Sequence, residues 1–120
     1  MAVSVNYRLA PEHPLPAAYD DSWAALNWAA SASDPWLSEH GDIGRIFIAG
    51  DSGGADVVHN IAIMAGAGQF SLPPNSMVEG AIILHPMFSG KKPIDGEYTE
   101  VRELMHKLWS QLLCQGTEAG

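Results

Sequence analysis

The residues best suited to chemistry lie in one short turn, Gly50-Asp51-Ser52-Gly53-Gly54. Four apolar residues, 46–49, precede this turn, and an apolar segment with helical spacing follows it. The turn fits the pattern Gly-x-Ser-x-Gly, in which a sharp strand-to-helix elbow presents its serine as a nucleophile. The sequence therefore predicts that Ser52 is a catalytic nucleophile.

The neighbours of Ser52 agree with this interpretation. Gly50 and Gly54, two positions to either side of the serine, have no side chains to collide when the chain reverses tightly. The following helix directs free N–H groups and the positive end of its dipole towards the serine. We therefore expect the backbone N–H of Gly53 to donate to an oxyanion on a substrate carbonyl, with Gly50, Asp51 and Gly54 forming the elbow.

Other uses of a glycine-rich turn do not fit the sequence. The spacing of Gly50, Gly53 and Gly54 departs from the Gly-x-Gly-x-x-Gly fingerprint of dinucleotide-binding proteins. The Gly-Lys-Ser/Thr of a phosphate-binding loop is absent. No set of His, Asp, Glu or Cys has the spacing of metal ligands. We expect neither a metal nor a cofactor.

Length and charge narrow the function classes further. The chain has 120 residues, enough for one modest domain, and its formal net charge of −8 makes nucleic acid an unsuitable partner. The single cysteine, Cys114, excludes an internal disulfide and is compatible with a cytoplasmic location. No signal segment opens the chain, and no apolar run approaches the roughly 20 residues that cross a bilayer, so we expect no membrane association. The oligomeric state stays open.

The hydrophobic pattern predicts strands and helices in alternation. Strands are expected over residues 3–7, 46–49 and 78–84, and helices near Pro16, directly after the elbow, and from Val101. Continuous apolar runs are typical of parallel strands that are covered on both faces. The expected class is therefore α/β, with three mainly parallel strands and flanking helices. In such sheets the active site lies at the carboxyl ends of the strands, where Ser52 stands.

None of the five histidines is placed by the sequence to activate Ser52. His59 follows on the same side of the helix, but two turns away, roughly 10 Å along the axis. Proton transfer needs about 3 Å, so we expect a packed or surface histidine there. His85 ends the third expected strand on the site face, and we do not expect it to be the base. The remaining three are expected to be solvated: His13, His40 and His106.

The residues around the elbow resemble those of the plant carboxylesterases. Three segments carry the resemblance: 3–14, which contains Tyr-Arg-Leu-Ala-Pro-Glu, then 16–21 and 50–55. The plant carboxylesterases are α/β-hydrolases of the hormone-sensitive-lipase-like group, which includes the gibberellin-receptor-like proteins. The Tyr-Arg-Leu-Ala-Pro-Glu run upstream of Gly-Asp-Ser-Gly-Gly is far more specific than Gly-x-Ser-x-Gly alone.

The resemblance implies a Ser-Asp-His esterase that cleaves small-molecule carboxylic esters through an acyl-enzyme. Ser52 matches the nucleophile and Gly53 matches one oxyanion donor. Residues 1–120 would form the central fragment of a single α/β-hydrolase domain, because the family's upstream His-Gly-Gly-Gly motif and downstream triad acid and base have no match. We therefore expect little or no esterase activity from this chain alone.

The resemblance also implies two local departures from the family. The family strand that would lie between residues 3–7 and 46–49 has no match, so we expect an empty slot with unpaired strand edges. Asp56 stands where the family usually has asparagine. Its charge suits the helix dipole but is unfavourable beside a developing oxyanion.

Two alternatives to an esterase stay open. The chain could be a non-catalytic receptor for a small gibberellin-type hormone, since gibberellin-receptor-like proteins share the fold and keep the serine. It could also be a truncated product without function, for which the open sheet edges predict poor solubility.

Overall fold

The computed structural model describes residues 1–68, 70–88 and 92–112, and Cys114 lies outside these ranges. None of the helices in the described part of the chain is long and apolar enough to span a bilayer. The described residues form four helices and two strands in this order: α1 (Ala17–Ala30), α2 (Pro35–His40), β1 (Ile46–Asp51), α3 (Gly53–Gly66), β2 (Val78–Leu84) and α4 (Thr99–Leu112).

The two strands form an open parallel sheet. β1 pairs with β2 from Phe47 opposite Gly80 to Asp51 opposite Leu84, after an irregularity between Ile46 and Phe47. Parallel strands need a crossover, and α3 supplies it, so the unit is β-α-β. This arrangement confirms the expected α/β class with an incomplete sheet.

Residues 3–7 form no strand in the structure, so it has two strands where the pattern predicts three. The alternation of Val3, Val5 and Tyr7 suits a strand, but a strand also needs a hydrogen-bonded neighbour. Among the described residues β1 pairs with β2 alone. A cavity of about 750 Å³ is instead lined both by the N-terminal segment and by β1. It lies where the family resemblance places the empty slot.

Among the described residues, the elements that pack on the sheet cover one of its faces. Ile46 and Ile48 of β1 pack against the core, whereas Phe47 is 55% exposed and Ile82 of β2 is 52% exposed. The expectation of strands covered on both faces is therefore wrong, because α3 packs on the sheet and α1 packs on α3, which leaves the opposite face open. The two helices supply the buried core: Ala18, Leu26, Val57 and Ile61.

One ion pair joins the N-terminal segment to α1. The Asp21 carboxylate accepts hydrogen bonds from the Arg8 backbone N–H at 2.9 Å, from Nε at 2.8 Å and from Nη2 at 2.7 Å. These hydrogen bonds, led by those from the Arg8 side chain, lower the pKa of Asp21 to about 2. Two of the three sequence segments that resemble the family, 3–14 and 16–21, are thus held together by a bidentate contact.

We predict that Asp21→Asn destabilises the chain at neutral pH and that its effect fades in acid. A carboxyl group whose pKa is lowered by folding stabilises the protein above its unfolded pKa, and that contribution is lost as pH falls towards about 2. Thermal melts between neutral pH and pH of about 2 would measure this.

Asp20→Asn is the matched control, because Asp20 is the neighbouring residue of α1 and forms no hydrogen bond with Arg8. Equal losses in the two variants at neutral pH would contradict a specific role for the Arg8–Asp21 pair.

Candidate active site

Ser52 occupies the junction between β1 and α3 in a strained backbone conformation. Its φ is 54° and its ψ is −115°, outside the regions that a residue with a side chain normally adopts. Three hydrogen bonds hold this backbone. The Ser52 N–H donates to the Leu84 carbonyl at 2.9 Å, and the Ser52 carbonyl accepts from Ala55 at 3.0 Å and Asp56 at 3.3 Å. No side-chain hydrogen bond from Ser52 caps α3, and the residue is exposed, so its hydroxyl is available to a ligand.

Gly50 makes this tight reversal possible. A Cβ atom on Gly50 would lie 2.1 Å from the Gly54 carbonyl oxygen and 2.8 Å from the Ala55 nitrogen. No rotation of a side chain could relieve that overlap, because the obstructing atoms belong to the backbone. A Cβ atom on Gly54 would meet nothing within 4 Å among the described residues. The sequence predicted that neither glycine can carry a side chain, whereas the structure shows this restriction for Gly50 and not for Gly54.

Two backbone amides at the start of α3 lack an acceptor within the helix. Ala55 is the first residue of the helix whose N–H donates back to the Ser52 carbonyl. The N–H groups of Gly53 and Gly54 precede it and so have no acceptor within the helix. Gly53 is exposed beside Ser52 at the positive end of the helix dipole. This arrangement can receive negative charge on an oxygen next to the serine.

An imidazole lies next to the elbow, and sequence reasoning did not foresee its contact. His85 Nδ1 lies 2.9 Å from Asp51 Oδ1, where the two strands end side by side. Both side chains are well exposed, 86% and 65% respectively, so water screens their attraction. His85 also has a positive φ of 46°. The sequence contained one indication of this contact, because Asp51 and His85 stand at the carboxyl ends of two strands that are expected to be parallel.

The other histidines make contacts elsewhere. The His59 ring lies 4.7 Å from the Phe88 ring between centroids, so it is a packed histidine, as expected. His40 Nε2 lies 3.9 Å from Glu39 on α2. Within the described ranges, none of the hydrogen bonds or ion pairs joins a histidine to Ser52.

Asp56 is a buried carboxylate in the first turn of α3. It is only 9% exposed, and burial raises its pKa, an effect that nearby His59 partly opposes. Burial together with the Asp56 charge also raises the pKa of Tyr19 on α1. The side chain that departs from the family pattern is therefore placed in apolar surroundings close to the elbow.

Comparison with known proteins agrees with this geometry. The family model described as the alpha/beta hydrolase fold matches residues 1–119. The chain belongs to this family. Its curated relatives include a probable carboxylesterase 3 of Arabidopsis thaliana, which is 46% identical over all of this chain. They also include the amyloplastic tuliposide A-converting enzyme b1 of Tulipa gesneriana, 45% identical over 91% of the chain.

A third relative, the 2-hydroxyisoflavanone dehydratase of Glycyrrhiza echinata, is 46% identical over 86% of this chain. The matches cover 38%, 28% and 34% of these three relatives in turn, so the chain spans about a third of their length. The protein is therefore a plant carboxylesterase-like α/β-hydrolase, and the expected family is confirmed.

We predict that Gly50→Ala unfolds the elbow, whereas Gly54→Ala leaves it intact. The first change forces a methyl group into the Gly54 carbonyl, and overpacking of this kind costs about 1–3 kcal/mol or more. The second places a methyl group in open space on a helix, where alanine is favoured over glycine by up to about 1 kcal/mol. Urea unfolding of both variants would measure the difference, and equal stability of the two would contradict the steric account.

We also predict that Asp56→Asn raises the melting temperature at neutral pH. Burial raises the Asp56 pKa, so the folded state holds that proton more tightly than the unfolded state does. The wild-type chain therefore gains stability relative to the variant as pH falls through the folded-state pKa, and the difference vanishes below about pH 4. Melting temperatures across this range, with exposed Asp20→Asn as control, would test the sign. A variant that is less stable than wild type at neutral pH would contradict it.

Proposed function

We propose that the protein acts on carboxylic esters as a serine hydrolase, with Ser52 as the nucleophile. The observation that carries this proposal is the backbone of Ser52, held at a positive φ between a parallel strand and the N-terminus of α3. A strained elbow of this kind lifts a hydroxyl clear of the chain and next to free amides. The names of the relatives support ester hydrolysis as the general class.

In the proposed reaction, the Ser52 Oγ attacks the ester carbonyl carbon while its proton passes to a general base. The carbonyl oxygen becomes an oxyanion, and the N–H of Gly53 donates to it. Collapse of this intermediate breaks the bond to the leaving oxygen, which takes the proton back from the base and departs as the alcohol, and leaves an acyl group on Ser52. Water then attacks the acyl-enzyme and releases the acid.

The reaction class does not follow from similarity alone. One relative bears the name of a dehydratase, and another that of a tuliposide A-converting enzyme. Elimination of water needs a positioned acid and base, whereas the described part of this chain offers a free serine hydroxyl beside free amides. That combination favours attack on a carbonyl over elimination.

We further propose that the 120 residues alone turn esters over slowly. A serine hydroxyl is a weak nucleophile until an adjacent base accepts its proton. Among the described residues, His85 is the imidazole that contacts the elbow, through a hydrogen bond between its Nδ1 and Asp51, and its other nitrogen, Nε2, makes no hydrogen bond to Ser52. Within the described residues no histidine bonds to Ser52, so no imidazole is positioned to accept its proton.

We predict that a fluorophosphonate probe labels Ser52 slowly and that Ser52→Ala abolishes the labelling. Intact-mass and peptide mass spectrometry would identify the modified residue. Hydrolysis of p-nitrophenyl acetate is expected to fall far below the roughly 10 s⁻¹ that is typical of enzymes.

His85→Gln is the matched variant for the base, since glutamine keeps a donor beside Asp51 but cannot relay a proton. We expect it to label at nearly the wild-type rate. Loss of labelling in His85→Gln would identify His85 as the base, and labelling of another residue would exclude Ser52 as the nucleophile. Rapid turnover that depends on Ser52 would contradict the proposal that the chain alone is slow.

A further inference from the structure

A second, smaller cavity of about 240 Å³ adjoins the elbow at Gly53 and Asp56. It is smaller than the roughly 300–1,000 Å³ of pockets that hold drug-sized ligands, so any occupant is small. Its walls come from the N-terminal segment, α1, the stretch after β2 and α4. The lining is largely apolar or aromatic and includes Tyr7, Leu15, Tyr19, Met87, Trp109 and Leu112.

The lining also contains one carboxylate, that of Asp56, and the basic side chains of Arg8 and His13. Asp56 is only 9% exposed, yet its side chain has no hydrogen-bond partner within the described part of the chain. Its oxygens are not among the fully enclosed side-chain atoms of the described residues, so water or a ligand in the cavity can reach them. The cavity therefore presents an accessible carboxylate that has no hydrogen-bond partner among the described residues.

The charged and titratable groups around Asp56 do not provide it with a cationic hydrogen-bond partner. Arg8 also lines the cavity, but its guanidinium is engaged by both carboxylate oxygens of Asp21. His59, the nearest electrostatic partner on α3, has its ring against Phe88. His13 lines the wall, and Tyr19 interacts with Asp56 as a potential negative charge rather than as a cation. None of these groups supplies a fixed positive charge to the carboxylate.

We propose that this pocket binds a small primary ammonium ion with an apolar body, whose ammonium group donates to Asp56. The apolar walls accept the body of the ligand, and the carboxylate accepts a charge-assisted hydrogen bond. The direction in which burial shifts the Asp56 pKa agrees with a carboxylate that lacks a counter-charge. The site goes beyond the proposed hydrolysis, because binding there requires no attack by Ser52.

The test is a titration of the full chain with three probes of one shape, benzylammonium, benzyl alcohol and benzoate, followed by ¹H–¹⁵N NMR. We expect benzylammonium to bind most tightly, benzyl alcohol more weakly and benzoate not at all. The shifts should centre on the amides of Gly53 and Asp56 and on the indole of Trp109. Tighter binding of the alcohol or of benzoate, or shifts centred on the larger cavity, would overturn the proposal.

Asp56→Asn tests the residue itself, because it preserves shape and removes the charge. We expect benzylammonium affinity to fall roughly tenfold or more, since a hydrogen bond to a charged group is lost, while benzyl alcohol affinity changes little. Asp20→Asn, an equal change at an exposed site of α1, should leave both affinities unchanged. If Asp20→Asn lost as much benzylammonium affinity as Asp56→Asn, the effect would come from the net charge of the chain. That result would overturn the proposed site.

Ser52→Ala separates this inference from the proposed hydrolysis, and we expect it to keep the wild-type affinity for benzylammonium. The probe series on the wild-type chain needs no variant, so the proposal remains testable if Asp56→Asn does not fold.

Discussion

The approach of Gly50 to the Gly54 carbonyl is the contact on which the rest of the site depends. A methyl group would lie 2.1 Å from that oxygen, so the chain can reverse here only because Gly50 has no side chain. The reversal forces Ser52 to a positive φ and lets α3 begin at the next residue. The free amides, the exposed hydroxyl and the packing of α3 on the sheet all follow from this single approach. The Ser52–Leu84 backbone hydrogen bond then fixes the strained turn to the neighbouring strand.

The features that sequence reasoning predicted correctly are local ones. Helical spacing, the proline at the start of α1 and the apolar run of β1 depend on residues within a few positions of each other. The segment 3–7 shows where this reasoning fails, because alternation describes a strand's faces but cannot supply a hydrogen-bonded neighbour. The exposure of Phe47 has the same origin, since the apolar run does not reveal on which face the helices pack. The α/β class and the order of α1, β1, α3, β2 and α4 were thus predictable, whereas the strand over residues 3–7 and the strand pairing were not.

The contacts of the site required the register of the sheet. Asp51 lies opposite Leu84 at the carboxyl ends of the two strands. The residues that follow them, Ser52 and His85, therefore lie at the same end of the sheet. No spacing along the chain reveals that alignment, which is why the His85–Asp51 contact was not foreseen. The same holds for Asp21, whose partner in the structure is Arg8, thirteen positions away in the sequence. Charged partners at such separations become visible only in three dimensions.

Asp56 connects the two proposals made for this chain through one electrostatic balance. The positive end of α3 favours its charge, whereas its burial opposes that charge. The same helix end is where an oxyanion would form beside Gly53, so an uncompensated carboxylate in the first turn would weaken the amides that receive it. An ammonium ion held by Asp56 would cancel that repulsion and leave the helix dipole to act on the oxyanion. Occupation of the small cavity and reactivity at Ser52 are therefore physically coupled whenever both occur, because the Asp56 carboxylate and the oxyanion would lie at the same end of α3.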